Sequence, residues 1–203
     1  MKDGSYYEGD FLHGEMTGKG SRTFEDGTEY VGEFVGGEKE GYGEIKYGKR
    51  NIKEHSYKGN WVGNQRHGYG ELLLRNNSTI KGNFVCNQAN GDCRIIYHDN
   101  GNEFTGNLLN GVPEGFGLFK SENDFSYKGN FTKGSREDEG TIFVQNGTYS
   151  LQSSFKNNEP AYLCNRLSYE LISPALKVEI EDPKAKKDPK AAPSKKDFTE
   201  EEE

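Results

Sequence analysis

The sequence has few apolar residues, and this shortage excludes a single deep core. Hydrophobic side chains make up 31% of the 203 residues, whereas globular chains usually contain about 45 to 50%. No apolar run approaches the roughly 20 residues that a membrane-spanning helix needs. The opening Met1-Lys2-Asp3 does not begin a secretory signal. We therefore expect a soluble, intracellular protein.

Residues that carry chemistry are also scarce. The four histidines share no register along the chain: His13, His55, His67 and His98. The three cysteines include no C-x-x-C pair, which indicates a reducing compartment. Cys86 and Cys93 flank one predicted turn, where a packed thiol pair is favoured over a metal site because a metal needs further ligands. We predict no catalytic residue, no cofactor and no metal.

Positive charge is in deficit as well. The formal net charge is -7, so a general attraction to nucleic acid is not expected. One dense basic cluster lies near the C-terminus, at Lys184, Lys186, Lys187, Lys190, Lys195 and Lys196, and Glu200 to Glu203 follow it. This cluster keeps open the hypothesis of an adaptor that binds anionic phospholipid.

Glycine and aromatic residues, in contrast, are abundant and form a repeat. Seven segments open with a hydrophobic residue, usually with Gly two residues later, and with an aromatic residue or Leu four residues later. The openings are 7–11, 30–34, 57–61, 80–84, 104–108, 127–131 and the degenerate 151–155. Their starts are 23, 27, 23, 24, 23 and 24 residues apart. Such a period indicates a small unit copied in a row and stabilised by its neighbours.

Each copy is predicted to be a β-hairpin. If the first residue of each opening is position zero, positions zero, two and four alternate with mostly polar residues, which is the period of a strand. Position seven is Gly or Asn in all seven copies, which indicates a turn. Position thirteen, which lies in the second strand, is Gly in every complete repeat except the fourth, where it is Cys93. Because glycine weakens a strand interior, we expect these glycines to make room for neighbouring rings.

The pattern Tyr-x-Gly-x-aromatic, a Gly or Asn turn, Gly-x-Gly and Asp-Gly resembles the MORN repeat, the "membrane occupation and recognition nexus", over roughly residues 5 to 158. Repeats one, two, three, five and six match well, the fourth lacks the Tyr and the second Gly, and the seventh is half a unit. We predict an all-β fold: a single-layer antiparallel array of about six to seven hairpins, elongated and trough-like, with a short C-terminal cap.

Composition divides the chain into three predicted segments. Residues 1–158 form the repeat array, 159–181 a cap or edge segment, and 182–203 a disordered tail rich in Lys, Pro and Glu. Within the second segment, Leu163, Leu167 and Leu171 have the spacing of a helix face, and 176–181 alternates like a strand. An array needs such a cap to cover its last open edge.

The aromatic residues at positions zero and four are predicted to be mainly structural, because each repeat carries them. This aromatic row comprises Tyr7, Phe11, Tyr30, Phe34, Tyr57, Trp61, Phe84, Phe104, Tyr127 and Phe131. The resemblance implies a further possibility, since in related arrays such rings line a groove that accepts a partner's helix or extended segment. Both interpretations stay open at this point.

The opposite face of the predicted sheet carries unexpected apolar residues. Positions twelve, fourteen and sixteen should be polar, yet seven of them are Tyr42, Tyr69, Leu73, Ile96, Phe116, Leu118 and Phe143. Exposed apolar neighbours often mark an interface. We predict that these residues bind a partner protein, and the alternative is burial under the C-terminal segment.

These observations favour a non-catalytic scaffold that holds other proteins along a β array. The resemblance implies a cytoskeletal partner or setting, because short MORN proteins are similar to components of ciliary radial spokes and of basal or cortical scaffolds. We therefore expect the cytoplasm, the cytoskeleton or a cilium as its location. The resemblance also implies a third alternative, the regulatory MORN region of a larger enzyme such as a lipid kinase or a lysine methyltransferase.

Overall fold

The structure, a computed structural model, describes residues 4–160 and 169–171. The chain divides into two units, Met1–Ile172 and Ser173–Glu203, and the second lies outside the described residues. Within the first unit, the described residues form one antiparallel sheet and no helix. The predicted all-β array of hairpins in a single layer is confirmed.

Strands follow one another across this sheet in chain order. In the described part of the chain, fourteen strands are arranged in this way, and a fifteenth pairs with the thirteenth. Their bounds are β1 Tyr6–Leu12, β2 Glu15–Thr23, β3 Glu29–Val35, β4 Glu38–Lys46, β5 Glu54–Val62, β6 Gln65–Leu74, β7 Ser78–Val85, β8 Gln88–Tyr97, β9 Asn102–Leu109, β10 Val112–Lys120, β11 Ser126–Thr132, β12 Ser135–Val144, β13 Tyr149–Lys156, β14 Glu159–Pro160 and β15 Tyr169–Leu171.

Each repeat is a hairpin closed by a two-residue turn with positive φ at both residues. The turns are His13-Gly14, Gly36-Gly37, Gly63-Asn64, Cys86-Asn87, Asn110-Gly111, Lys133-Gly134 and Asn157-Asn158. Two positive φ values define the type I′ turn, whose twist matches that of the flanking strands. Gly and Asn accept such φ values most readily, which explains their occurrence at position seven.

A β-bulge interrupts the second strand of the hairpin in each of the six complete repeats. In the second hairpin, the register of β3 with β4 shifts between Gly32 and Glu33, and Gly41, at position eleven, has a φ of 64°. Position eleven has positive φ in all six complete repeats, at Gly18, Gly41, Gly68, Gly91, Gly115 and Asp138. An extra residue with positive φ is typical of a bulge, so this position favours Gly.

Neighbouring hairpins are joined by a backbone hydrogen bond that recurs at every junction. The amide of position seven donates to the carbonyl of position nine in the preceding hairpin, at 2.8 to 3.1 Å. Where position seven is Asn64, Asn87 or Asn158, its side-chain Oδ1 also accepts from the amide of that same position-nine residue, at 2.8 to 3.0 Å. Asparagine at the turn therefore links two repeats with two hydrogen bonds.

At the C-terminal end, two short strands pair with the outer edge of β13. Phe155 pairs with Pro160 in β14, and Leu151 pairs with Tyr169 in β15. The helix predicted from the leucine spacing is wrong at residues 169–171, which form β15 because they pair with the open edge of β13. The rest of the predicted helix and the alternating segment 176–181 lie outside the described residues, as does the predicted tail.

The core is a layer of side chains on one face of the sheet, which we call the aromatic face. Its buried members are Met16, Tyr30, Phe34, Ile45, Tyr57, Trp61, Leu72, Ile80, Phe84, Ala89, Cys93, Ile95, Phe104, Leu108, Tyr127, Phe131 and Phe155. Rings meet edge to face both within a repeat and between repeats: Tyr57 contacts Trp61 of its own repeat and Phe84 of the next, with centroids 5.2 and 5.1 Å apart. Each repeat thus completes its core with the next repeat.

Candidate protein-binding surface

Each tyrosine at position zero lies across a pair of glycines on the aromatic face. A Cβ on either Gly59 or Gly70 would meet the Tyr57 ring or its hydroxyl. The hydroxyl donates to the carbonyl of Asn60 at 3.1 Å, next to the bulge. Tyr30 and Tyr127 repeat this arrangement with the carbonyls at position three of their own repeats. The glycines therefore make the space in which the rings become buried.

In repeats two, three and six, a cation at position nine lies over the rings: Lys39, Arg66 and Arg136. Arg66 lies over the rings of Tyr57 and Phe84, with its guanidinium carbon 5.5 and 5.8 Å from their centroids, and its Nη1 contacts Glu54 Oε1 at 2.8 Å. Lys39 lies 5.2 Å from the Trp61 centroid, and burial lowers its pKa. Burial also raises the pKa of Tyr57 to about 12. These groups seal the aromatic face instead of offering free charge.

The fourth repeat fills the same space with a different pair of residues. Position zero is Ile80 and position thirteen is Cys93, and both side chains are buried. The Cys93 thiol lies 3.8 Å from the carbonyl of Asn83, which is the position that accepts the tyrosine hydroxyl in other repeats. A shorter side chain at position zero thus leaves room for a Cβ and a sulfur at position thirteen.

Most rings of the predicted aromatic row are therefore enclosed. Tyr30, Phe34, Tyr57, Trp61, Phe84, Phe104, Tyr127 and Phe131 are buried. Phe11 is exposed and Tyr7 is half-buried, because the described residues place no strand beyond β1. The burial of the row favours its structural interpretation over that of an open groove.

The seven apolar residues predicted to bind a partner all lie on the opposite face, which we call the outer face. They do not form one patch. Tyr42, Tyr69 and Phe116 are exposed and occupy equivalent places, each paired across the strands with an asparagine: Asn60, Asn83 and Asn130. Polar side chains therefore separate these rings.

Leu73 and Ile96 form a smaller unit on the outer face. Both pair with Thr79, which lies between them on β7 and is buried. The Thr79 hydroxyl is 2.8 Å from Nε2 of His98. Because the two apolar side chains are partly buried around this threonine, they offer less free surface than the rings do.

Phe116 and Phe143 line a groove on the outer face of β10 to β13. Its volume is about 560 Å³, and its lining includes Lys128, Thr141 and Gln152. The Lys128 ammonium lies 5.8 Å from the centroid of the Phe116 ring. Leu118 lies nearby, paired across the strands with Lys128. Three of the seven predicted residues are thus brought together around one concave feature.

A second set of exposed apolar residues, which was not predicted from the sequence, lies on the outer face. Position five, at the end of the first strand of each hairpin, is aliphatic in the first five repeats: Leu12, Val35, Val62, Val85 and Leu109. These side chains are 47 to 62% exposed. We call this set the apolar stripe. The pattern that could have revealed the stripe is the recurrence of an aliphatic residue, Leu or Val, at position five next to the turn.

The described residues contain no cluster of three His, Cys, Asp or Glu side chains that could hold a metal ion. Cys86 is exposed in its turn and Cys93 is buried in the aromatic face, so the expected thiol pair does not form. No helix among the described residues is long and apolar enough to cross a membrane.

Taken together, the geometry defines a class of protein: a tandem array of β-hairpins in which tyrosines lie across glycine pairs. The family model of the MORN repeat matches residues 7–29, 30–51, 57–79 and 104–124. The chain belongs to the MORN-repeat proteins. The matched segments are repeats one, two, three and five; repeat six, which we expected to match, is not among them. No curated protein matches the chain.

Proposed function

We propose that this protein is a non-catalytic scaffold that binds an apolar segment of another protein in the groove between Phe116 and Phe143. MORN repeats generally bind proteins or membranes. The observation that carries the proposal is the groove itself, which combines two aromatic side chains with the Lys128 ammonium in a concave part of the outer face. Aromatic residues are enriched at the centres of surfaces that anchor a partner protein.

The close packing of the aromatic face also supports binding at the outer face. Its rings are occupied with one another and with the cations at position nine, so a partner would have to displace packed side chains to bind there. The outer face has apolar side chains that are accessible without any rearrangement. Binding at the outer face therefore leaves the fold intact.

We further propose that the partners are cytoskeletal or axonemal proteins. A sheet built of hairpins in a row suits a scaffold that holds a partner at a fixed place along its length. The resemblance to short MORN proteins of ciliary and cortical assemblies supports this setting. The groove supplies the contact and the array supplies the spacing.

Affinity capture from a lysate of ciliated cells tests both parts. The bait is the full chain, compared with a Phe116→Ser/Phe143→Ser variant and with a Tyr6→Ser control, whose ring is exposed on β1. Circular dichroism verifies that all three baits are folded. Cytoskeletal or axonemal proteins that are lost only with the groove variant support the proposal.

Two results would contradict it. Equal capture by all baits would mean that the groove is not the binding site. Binding to anionic vesicles that falls steeply with salt, without protein capture, would favour the adaptor that binds phospholipid.

A further inference from the structure

The apolar stripe has a regular spacing and a symmetric order. Its members lie on β1, β3, β5, β7 and β9, so neighbours are two strands apart, or about 9.6 Å at about 4.8 Å per strand. Read in either direction, the order is Leu, Val, Val, Val, Leu: Leu12, Val35, Val62, Val85 and Leu109. Val62 is its midpoint. The stripe is therefore about 38 Å long and matches its own reversal.

The residues between the members of the stripe differ in charge on the two sides of Val62. On the N-terminal side, Val35 pairs with Glu38 and Leu12 pairs with Glu15, and Glu40 lies on the same strand as Glu38. The same positions on the C-terminal side carry no carboxylate: Gln65, His67, Gln88 and Asn90. One half of the stripe thus carries carboxylates, and the other half carries amides and an imidazole.

We propose that the apolar stripe is a dimer interface, on which a second copy of this chain packs antiparallel about a two-fold axis through Val62. In this arrangement Val62 meets Val62 of the second copy, Val35 meets Val85, and Leu12 meets Leu109. The interface is isologous, because the same residues serve both copies. This surface is distinct from the groove between Phe116 and Phe143.

Charge selects the antiparallel arrangement over the parallel one. With the two-fold axis at Val62, Glu38 and Glu40 of one copy face Gln65 and His67 of the other, and amide hydrogens can donate to the carboxylates. A parallel arrangement would place Glu38 against Glu38 and Glu40 against Glu40. Like charges in direct opposition are destabilising.

Spacing selects a second copy over other partners. An α-helix advances about 10.5 Å in seven residues, so a helix with one apolar residue per heptad would be out of step by about 4 Å at the end of the stripe. Strands in a sheet also rotate by about 20 to 25° from one to the next, and a straight helix cannot follow this twist. A second copy has the same spacing and the same twist, so the two stripes stay together along their length.

Sedimentation equilibrium of the full chain tests the interface. We expect a monomer–dimer equilibrium that Val62→Lys weakens about hundredfold, roughly tenfold for each copy, because the substituted residue occurs twice at the axis. Val31→Lys is the matched control: Val31 is an exposed valine on the same face, outside the stripe. A wild-type chain that stays monomeric, or a dimer that both variants weaken equally, would overturn the proposal.

Thiol cross-linking tests the register. In a Cys86→Ser/Cys164→Ser background, Val62→Cys alone is expected to be linked by a short bis-maleimide. A mixture of the separate Leu12→Cys and Leu109→Cys variants should be linked, whereas Leu12→Cys alone should not. Linkage of Leu12→Cys alone and failure of the mixture would show a parallel pairing and contradict the antiparallel model.

A charge substitution beside the axis tests the complementarity. Gln65→Glu would place a carboxylate opposite Glu38 and Glu40 of the second copy, so it should weaken the dimer about fivefold to tenfold. Gln65→Lys should strengthen it, and added salt should reduce both effects. If the two substitutions change the dimerisation constant in the same direction, the proposed facing of charges is wrong.

Discussion

The ring of Tyr57 lies across Gly70 on the partner strand of its own hairpin, so closely that a Cβ at Gly70 would overlap the ring and its hydroxyl. Tyr57 is at position zero and Gly70 at position thirteen. The bulge brings position thirteen opposite Gly59, at position two, so the ring meets a glycine on the partner strand. Tyr30 and Gly43, and Tyr127 and Gly140, have the same relationship. Burial of the tyrosine and the absence of a side chain at the glycine are therefore one structural feature.

The first prediction follows from this overlap. Gly70→Ala should lower the free energy of unfolding by about 2 to 3 kcal/mol, because the ring has to leave its place or the strands have to separate. Urea unfolding measures the change. The control is the same substitution in a Tyr57→Leu background, where the overlapping atoms are removed and the cost should shrink. An unchanged cost in that background would assign the loss to the backbone instead of the ring.

The second prediction concerns the pair that replaces tyrosine and glycine in repeat four. Ile80→Tyr alone should be destabilising because its ring would meet Cys93, and Cys93→Gly alone should be destabilising because it leaves a cavity beside Ile80. The double variant restores the common pair and should recover most of the loss, with a coupling of about 1 to 3 kcal/mol. If the losses of the two single variants simply add in the double-mutant cycle, Ile80 and Cys93 do not fill the space that Tyr and Gly share in other repeats.

Much of this fold could be predicted, because the repeat places one constraint at each position. Gly and Asn at position seven predicted the turns, and all seven turns have positive φ there. Alternation at positions zero, two and four predicted the strands. The leucine spacing predicted a helix, which is wrong at residues 169–171: this short period could not distinguish a helix from a strand that pairs with the open edge of β13.

The candidate surface could be predicted less well. The alternation of faces placed Phe116, Leu118 and Phe143 correctly on the outer face, but it could not show that polar residues separate Tyr42 from Tyr69. That separation depends on the register between hairpins, which pairs each ring with an asparagine of the next repeat. The apolar stripe was missed because a single aliphatic residue beside a turn resembles an ordinary strand end until it is compared with its equivalents.

The third prediction concerns the asparagine that links neighbouring hairpins. Asn87 has a φ of 74°, and its Oδ1 accepts from the amide of Arg66 at 3.0 Å. Asn87→Gly keeps the turn but removes this hydrogen bond, so it should cost about 1 kcal/mol. Asn87→Ala should cost more, because it also strains a left-handed backbone. Thermal unfolding that ranks Ala as less harmful than Gly would contradict this account.

The fourth prediction concerns unfolding at high pH. Burial raises the pKa of Tyr57 and of Tyr47 to about 12, and the ordinary value of a tyrosine is near 10. Below about pH 10 both hydroxyls are protonated in the folded and unfolded states. Between about pH 10 and 12 the unfolded chain loses these protons while the folded chain keeps them, so stability should fall as pH rises, by up to about 1.4 kcal/mol per pH unit for each tyrosine.

Urea midpoints measured from about pH 8 to 12 test this directly. Tyr57→Phe cannot ionise, so its stability should fall less steeply with pH than that of the wild type, even if it is lower at neutral pH because the hydrogen bond to the Asn60 carbonyl is lost. Tyr69→Phe is the matched control, since that ring is exposed on the outer face and should leave the slope unchanged. Equal slopes for all three proteins would contradict this prediction and would assign the alkaline unfolding to other groups that titrate in this interval, such as lysines.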